Sequence, residues 1–196
     1  MKKYLPLAAF VAATIGSAPA WAVSFEGAIS QGATVVTPYV GTSLISFDVD
    51  FANTSLVSID FRIEEDDLLQ PVELNAVLRN FTGTGLNGYT LTLDKGSFGS
   101  IGSVTRQFGG NTLVNQLSGQ SVELNFNQSY EYLDVELGNA LGTTPGAINW
   151  TLTGLQAGDR VNLTLSVTAV PEPETYALLL AGLGVVGASV ARRRQG

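Results

Sequence analysis

Four consecutive carboxylates, Glu64, Glu65, Asp66 and Asp67, are the densest concentration of hard oxygen donors in this 196-residue chain. Calcium takes about six to eight oxygens, and clustered carboxylates with loop carbonyls can supply them. These four are therefore the candidate metal ligands. No spaced Asp-x-Asp-x-Asp-Gly calcium signature accompanies them, and a solvated acidic loop is the simpler reading. A second group alternates along two neighbouring runs, Asp48 and Asp50 on one, Asp60 and Arg62 on the next. If residues 52–56 join these runs, one register sets Asp48 against Asp60, and a shift of two sets it against Arg62, which is cheaper without a cation. Glycoside hydrolysis needs only two carboxyl groups, but no pair among the domain's acids is singled out by spacing. No catalytic residue is assigned, and the chain is expected not to be an enzyme. With neither Cys nor His present, disulfides, thiolate catalysis, imidazole or thiolate metal sites and a Ser-His-Asp arrangement are excluded.

Aromatic rings could stack on sugars instead, and Tyr39, Tyr89, Tyr130, Tyr132 and Trp150 are the candidates. Trp150 shares its alternation with Ile148 and Leu152 and reads as core. Tyr130 and Tyr132 flank Glu131 near a strand start and are better placed for exposure. Asn-x-Ser/Thr triplets beginning at Asn53, Asn80, Asn127, Asn149 and Asn162 arise cheaply in Thr- and Asn-rich strands and are discounted as glycosylation sites.

The elements that must carry these residues read as strands. Between residues 23 and 170 apolar side chains recur at every second position, clearest at Val161, Leu163, Leu165, Val167 and Ala169. Ile148, Trp150 and Leu152 alternate likewise, and the turn residues Gly154 to Asp159 suggest that these two runs form a hairpin. Similar runs lie at 45–51, 57–63, 72–78, 89–93, 122–126 and 133–137, punctuated by Asn87-Gly88, Lys95-Gly96, Gly109-Gly110-Asn111 and Gly158-Asp159. An all-β fold follows: an antiparallel β-sandwich or jelly-roll-like domain over 23–170, flanked by an N-terminal signal helix and a C-terminal transmembrane helix.

Charge divides the same way. Residues 23–170 hold fifteen acidic against five basic side chains, while Lys2, Lys3, Arg192, Arg193 and Arg194 stand at the extremities. An acidic body of this kind is a poor partner for nucleic acid or an anionic membrane surface. Residues 1–22, two lysines, an apolar stretch and small residues to Ala22, have the three-part pattern of a secretory signal, with cleavage expected before Val23 by a signal peptidase after Sec-type export. Residues 175–191 lack charge and at roughly 1.5 Å per residue reach the lower limit for a membrane span. The arginines behind them stay cytoplasmic by the positive-inside rule, so the body is translocated. Pro171 and Pro173 keep the preceding segment extended.

Pro171-Glu172-Pro173, one hydrophobic stretch and the cluster Arg192, Arg193, Arg194 together resemble the PEP-CTERM sorting signal. The resemblance implies recognition and cleavage near 171–173 by an exosortase, a membrane-embedded transpeptidase of Gram-negative bacteria that make exopolysaccharide. It also implies transient anchoring in the inner membrane, delivery to the cell surface or extracellular matrix, and a part in biofilm or floc formation with exopolysaccharide as partner. Glu174 departs from the small residue more usual after the motif. The resemblance covers the tail alone. For the middle, the expectation is a structural or adhesive domain, with a carbohydrate- or calcium-binding module as alternative, a carboxylate-dependent hydrolase behind both, and no cofactor required.

Overall fold

Alternating apolar residues produce strands because every second side chain of an extended backbone points the same way. The computed structural model of the chain describes residues 22–170 and 178–186. The expected signal sequence, the Pro171-Glu172-Pro173 motif and the arginine cluster therefore lie outside the described residues, apart from Ala22. Thirteen strands follow one another: β1 (Ser24–Ile29), β2 (Val35–Pro38), β3 (Leu44–Phe51), β4 (Val57–Arg62), β5 (Val72–Asn80), β6 (Leu86–Leu93), β7 (Ser97–Ser100), β8 (Val104–Arg106), β9 (Leu113–Ser118), β10 (Ser121–Asn125), β11 (Asp134–Leu137), β12 (Trp150–Thr153) and β13 (Arg160–Ala169). A single 3-10 turn, Glu65–Leu69, interrupts them.

The strands form two sheets that share one core. The first is antiparallel throughout, in the order β1-β4-β13-β6-β10-β9. The second runs β2-β3-β5-β11-β8, with β12 on the same edge of β5 as β11, and β7 outside β12. Phe47 and Phe51 of β3 meet Phe61 of β4 and Tyr89 of β6 across the gap, with ring centroids 6.0 and 5.5 Å apart. Twenty-eight buried apolar residues join in this cluster. At about 1.5–3 kcal/mol for each fully buried large side chain, this burial is what offsets the entropy of ordering a chain without disulfides.

Several expectations from the sequence are corrected here. The pairing is not wholly antiparallel, since β3 and β5 run parallel over eight residues, from Leu44 beside Glu73 to Phe51 beside Asn80. Nor do β3 and β4 make a hairpin: they lie in opposite sheets and face each other through Phe47 and Phe61. The link at 52–56 folds over the edge of the core, where the Thr34 hydroxyl accepts the Ala52 N–H and Asn53 Oδ1 accepts the Ser55 N–H. Asp48 is consequently never opposite Asp60 or Arg62. The same error recurs at β12 and β13, which belong to different sheets. Their connection turns at Gly154 and Gly158, both at positive φ, and Ile63 docks it on the end of β4 by donating its N–H to the Asp159 carbonyl and accepting the Gly158 N–H. Alternation distinguishes inward from outward faces, but both sheets point their apolar faces at the same core. Ile148, expected inside, is exposed because the strand begins only at Trp150. Asn87-Gly88 lies within β6 rather than in a turn, and Gly88 is needed there because a Cβ would collide with the Leu124 carbonyl on β10.

Candidate functional site

The acidic run does not act as one group. Asp67 is fully buried, and its carboxylate accepts backbone N–H bonds from Val23 (3.1 Å), Ser43 (2.8 Å) and Glu64 (2.9 Å). It ties the start of β1, the β2–β3 connection and the entry of the 3-10 turn to one point. Glu64 lies 3.5 Å from Arg62, and Glu65 and Asp66 are exposed. Among the described residues no three carboxylates gather in a geometry able to hold a metal ion.

Carboxylates do converge elsewhere. The parallel pairing sets Asp50 beside Arg79, and Asp48 joins them from the same outward face of β3. Arg79 donates to Asp48 at 2.6 Å and to Asp50 at 2.9 Å, and its Nε lies 3.9 Å from Asp134 on β11. Asp50 above all, then Asp48, raises the guanidinium pKa against the opposing effect of burial. Burial raises the Asp134 pKa, and the neighbouring carboxylates add to this while Arg79 opposes it. Two clefts flank the group. One of about 290 Å³ lies among Val77, Thr105, Gln107, Asp134, Glu136 and Leu141. The other, about 430 Å³, is bordered by Tyr39, Ser46, Asp48, Arg79 and Leu141. Glu136, largely buried, accepts the Leu141 N–H (2.8 Å) and the Thr144 hydroxyl (3.2 Å), and so fastens the loop that walls both. The clefts thus bring a guanidinium, carboxylates, hydroxyls and a tyrosine beside the apolar side chains of Val77 and Leu141.

The aromatic candidates separate by depth. Trp150 is core, as expected, and its indole N–H donates to the Ser103 carbonyl at 3.1 Å. Tyr89 is also core, contrary to a role in stacking, and burial pushes its hydroxyl far above the usual range, with Glu131 and Asp134 adding to the effect. Tyr39 and Tyr132 are exposed, and Tyr130 is half-buried. Beside Tyr132 the carboxylate of Glu131 is fully buried. It takes Arg106 Nε at 3.1 Å and the N–H groups of Phe108, Tyr132 and Leu133. Arg106 also donates to the Ser129 and Asn111 carbonyls and lies 4.2 Å over the Phe126 ring. Neither this pair nor the Arg79 group was anticipated. Arg79 had one visible signal, a cation at an outward position closing an apolar run, but its partners depend on a strand neighbourhood that alternation does not reveal.

The chain leaves this domain through β13, an interior strand held by β4 on one side and β6 on the other. Ala169 pairs with Leu86, and Val170 follows. Residues 178–186 are helical, with Leu178, Leu179, Leu180, Leu183, Val185 and Val186 exposed. They cover part of the span expected at 175–191, and among the described residues no helix is long and apolar enough to cross a membrane.

A two-sheet β domain thus precedes, in sequence, an apolar helix at 178–186. Residues 169–195 match the PEP-CTERM protein-sorting motif, in agreement with the resemblance drawn from the tail. No curated protein and no solved structure matches the chain.

Proposed function

We propose that this chain is an exported, non-enzymatic surface or matrix protein. A β-sandwich is the cargo, and the tail holds it at the inner membrane of a Gram-negative cell until an exosortase-like transpeptidase cuts near Pro171-Glu172-Pro173. The observation that carries this reading is the abutment of domain and signal: the sorting match begins at Ala169, the last residue of β13. Because β13 is bonded along both edges before the motif starts, cleavage beyond it removes no strand from either sheet. The cargo is released whole. Deleting residues 175–196 and locating the product by fractionation tests the proposal. The expected result is loss of processing and of surface delivery, and unchanged delivery of a correctly trimmed product refutes it.

A second reading concerns what the cargo binds. The clefts beside Arg79 favour a carbohydrate ligand, consistent with a structural or adhesive part in an exopolysaccharide matrix and in biofilm or floc formation. Calorimetry with neutral and acidic polysaccharide fractions tests this, and absence of heat with all of them removes it.

A further inference from the structure

The strands of both sheets end in two sets of loops, and the set from which the tail departs differs from the other in charge. It comprises residues 30–34, 52–56, 81–85, 107–112 and 126–133, placed together by the pairing of Ala169 with Leu86, the Leu86–Glu131 bridge and the backbone bonds from Phe81 to Phe51 and from Gln107 to Asp134. Glu131 is the only ionisable acid or base in these loops apart from the phenols of Tyr130 and Tyr132, and it is fully buried against Arg106. The nearest other charges, Asp50, Arg79 and Asp134, are tied to one another on the outer face of the second sheet. The opposite set of loops carries Glu64, Glu65, Asp66, Asp94, Lys95 and Asp159.

What the tail-side loops expose is uncharged, and large apolar side chains stand among the polar ones. Leu56, Phe81, Phe108, Tyr132 and Leu133 are between 45% and 63% exposed. Phe108 and Tyr132 pack edge to face at 5.4 Å, and a Cβ on Gly85 would strike the Tyr132 ring, so these rings adjoin the 81–85 turn. Tyr39, Val40, Leu68 and Leu69 are exposed at the other end too, but beside its charged loops. Exposed apolar groups with no exposed charge among them mark an interaction surface, and aromatic rings suit the boundary between headgroups and acyl chains. Chain length names the occupant. Val170 and Leu178 are eight peptide links apart, which at roughly 3.6 Å each span no more than about 29 Å. A domain tethered so closely to a membrane-inserted tail presents this end to the bilayer. An anionic leaflet repels acidic groups, and these loops expose none; the acid next to them, Asp134, faces Arg79.

We infer that the tail-side loops are a membrane-docking surface: Phe81, Phe108, Tyr132 and their neighbours rest in the headgroup layer while the tail is inserted, holding Pro171-Glu172-Pro173 at the lipid boundary for cleavage. The inference rests on the sorting role proposed above and deepens it. Loss of the tail ends the contact, because a few exposed rings without a second anchor bind a bilayer only weakly.

The chain has no cysteine, so single reporters can be placed cleanly. Full-length Phe81→Cys, Ala157→Cys and Leu183→Cys variants, each carrying an environment-sensitive fluorophore, are reconstituted in vesicles of phosphatidylethanolamine and phosphatidylglycerol containing nitroxide lipid. Near-ultraviolet circular dichroism verifies the fold. The expected result is loss of emission at positions 81 and 183 and none at 157. Quenching at 183 but not at 81, or equal quenching at 81 and 157, overturns the docking surface and leaves the sorting role standing. An unquenched probe at 183 overturns the inserted tail and the docking surface with it. Burial of the probe at 81 only when the processing enzyme is co-reconstituted overturns lipid as the occupant in favour of a protein face.

Discussion

Glu131→Gln should destabilise the domain severely. The native carboxylate is fully buried, offsets the charge of Arg106 and accepts three backbone N–H groups that fix the course of residues 108 and 131–133. The amide keeps Oε1 for those donors but replaces the acceptor for Arg106 Nε with a donor. Arg106, 1% exposed at its side chain, is left as a buried cation beside an N–H₂ group. Breaking a buried pair by removing one charge costs about 3–5 kcal/mol, a large share of a typical domain stability of roughly 5–15 kcal/mol. The Arg106→Met, Glu131→Gln double variant removes the orphan charge and should regain part of that loss. Recovery stays incomplete because Arg106 also satisfies the Ser129 and Asn111 carbonyls. Denaturant titration of the purified chain, followed by near-ultraviolet circular dichroism of Trp150, measures all three proteins. If Glu131→Gln lies within about 0.5 kcal/mol of the native chain, the range of an ordinary surface change, the reasoning about this pair is wrong.

Three more outcomes follow from the same geometry. Arg79→Ala leaves Asp48, Asp50 and Asp134 together without their cation; at neutral pH it should cost about 1 kcal/mol by denaturant titration, partly screened by solvent, and the deficit should narrow in acid as Asp134, whose carboxyl pKa burial already raises, protonates. The Asp159 carboxyl is held below its ordinary pKa, first by the Gln156 N–H and then by Lys95. Its contribution is therefore complete above the unfolded-state value and disappears as pH falls through the folded one, so Asp159→Ala should lower Tm at pH 7 and have progressively less effect below about pH 4. Gly88→Ala drives a methyl into the Leu124 carbonyl between paired strands and should cost more than about 2 kcal/mol by thermal unfolding, whereas Gly142→Ala, with open space at its Cβ, is strained only by its φ of 66° and should cost less.

Much of the inside of this protein is legible in its residues. Val161, Leu163 and Leu165 alternate and are buried, as are Ile45, Phe47 and Val49. Strands β3, β4, β5, β6, β10, β11 and β13 fall close to the runs that alternation marks. The short strands β1, β2, β7 and β8 were not marked: each is three to six residues long, and little of its surface reaches the core. Exposed throughout, β9 has no apolar face to declare it. Sheet membership was misjudged for the β3–β4 and β12–β13 links because a hairpin and an arch over the core impose the same periodicity on their flanks. For the candidate sites, a run of acids suggested one cluster, while the fold buries Asp67 as a backbone acceptor and assembles a different group around Arg79. The tail was readable because its signal is linear: a proline pair, an apolar stretch and terminal arginines need no folded partner to be seen.

The last strand made is also the one that closes the middle of its sheet. Until residues 160–169 emerge, β4 and β6 have no neighbour between them, and the first sheet exists only as separated pieces. On the export route proposed above, assembly waits for nearly the whole body to cross, which favours passage as an open thread. A polypeptide truncated before this point would keep two raw strand borders and lack the sorting motif that follows, so the finished sheet and the address label come together or not at all.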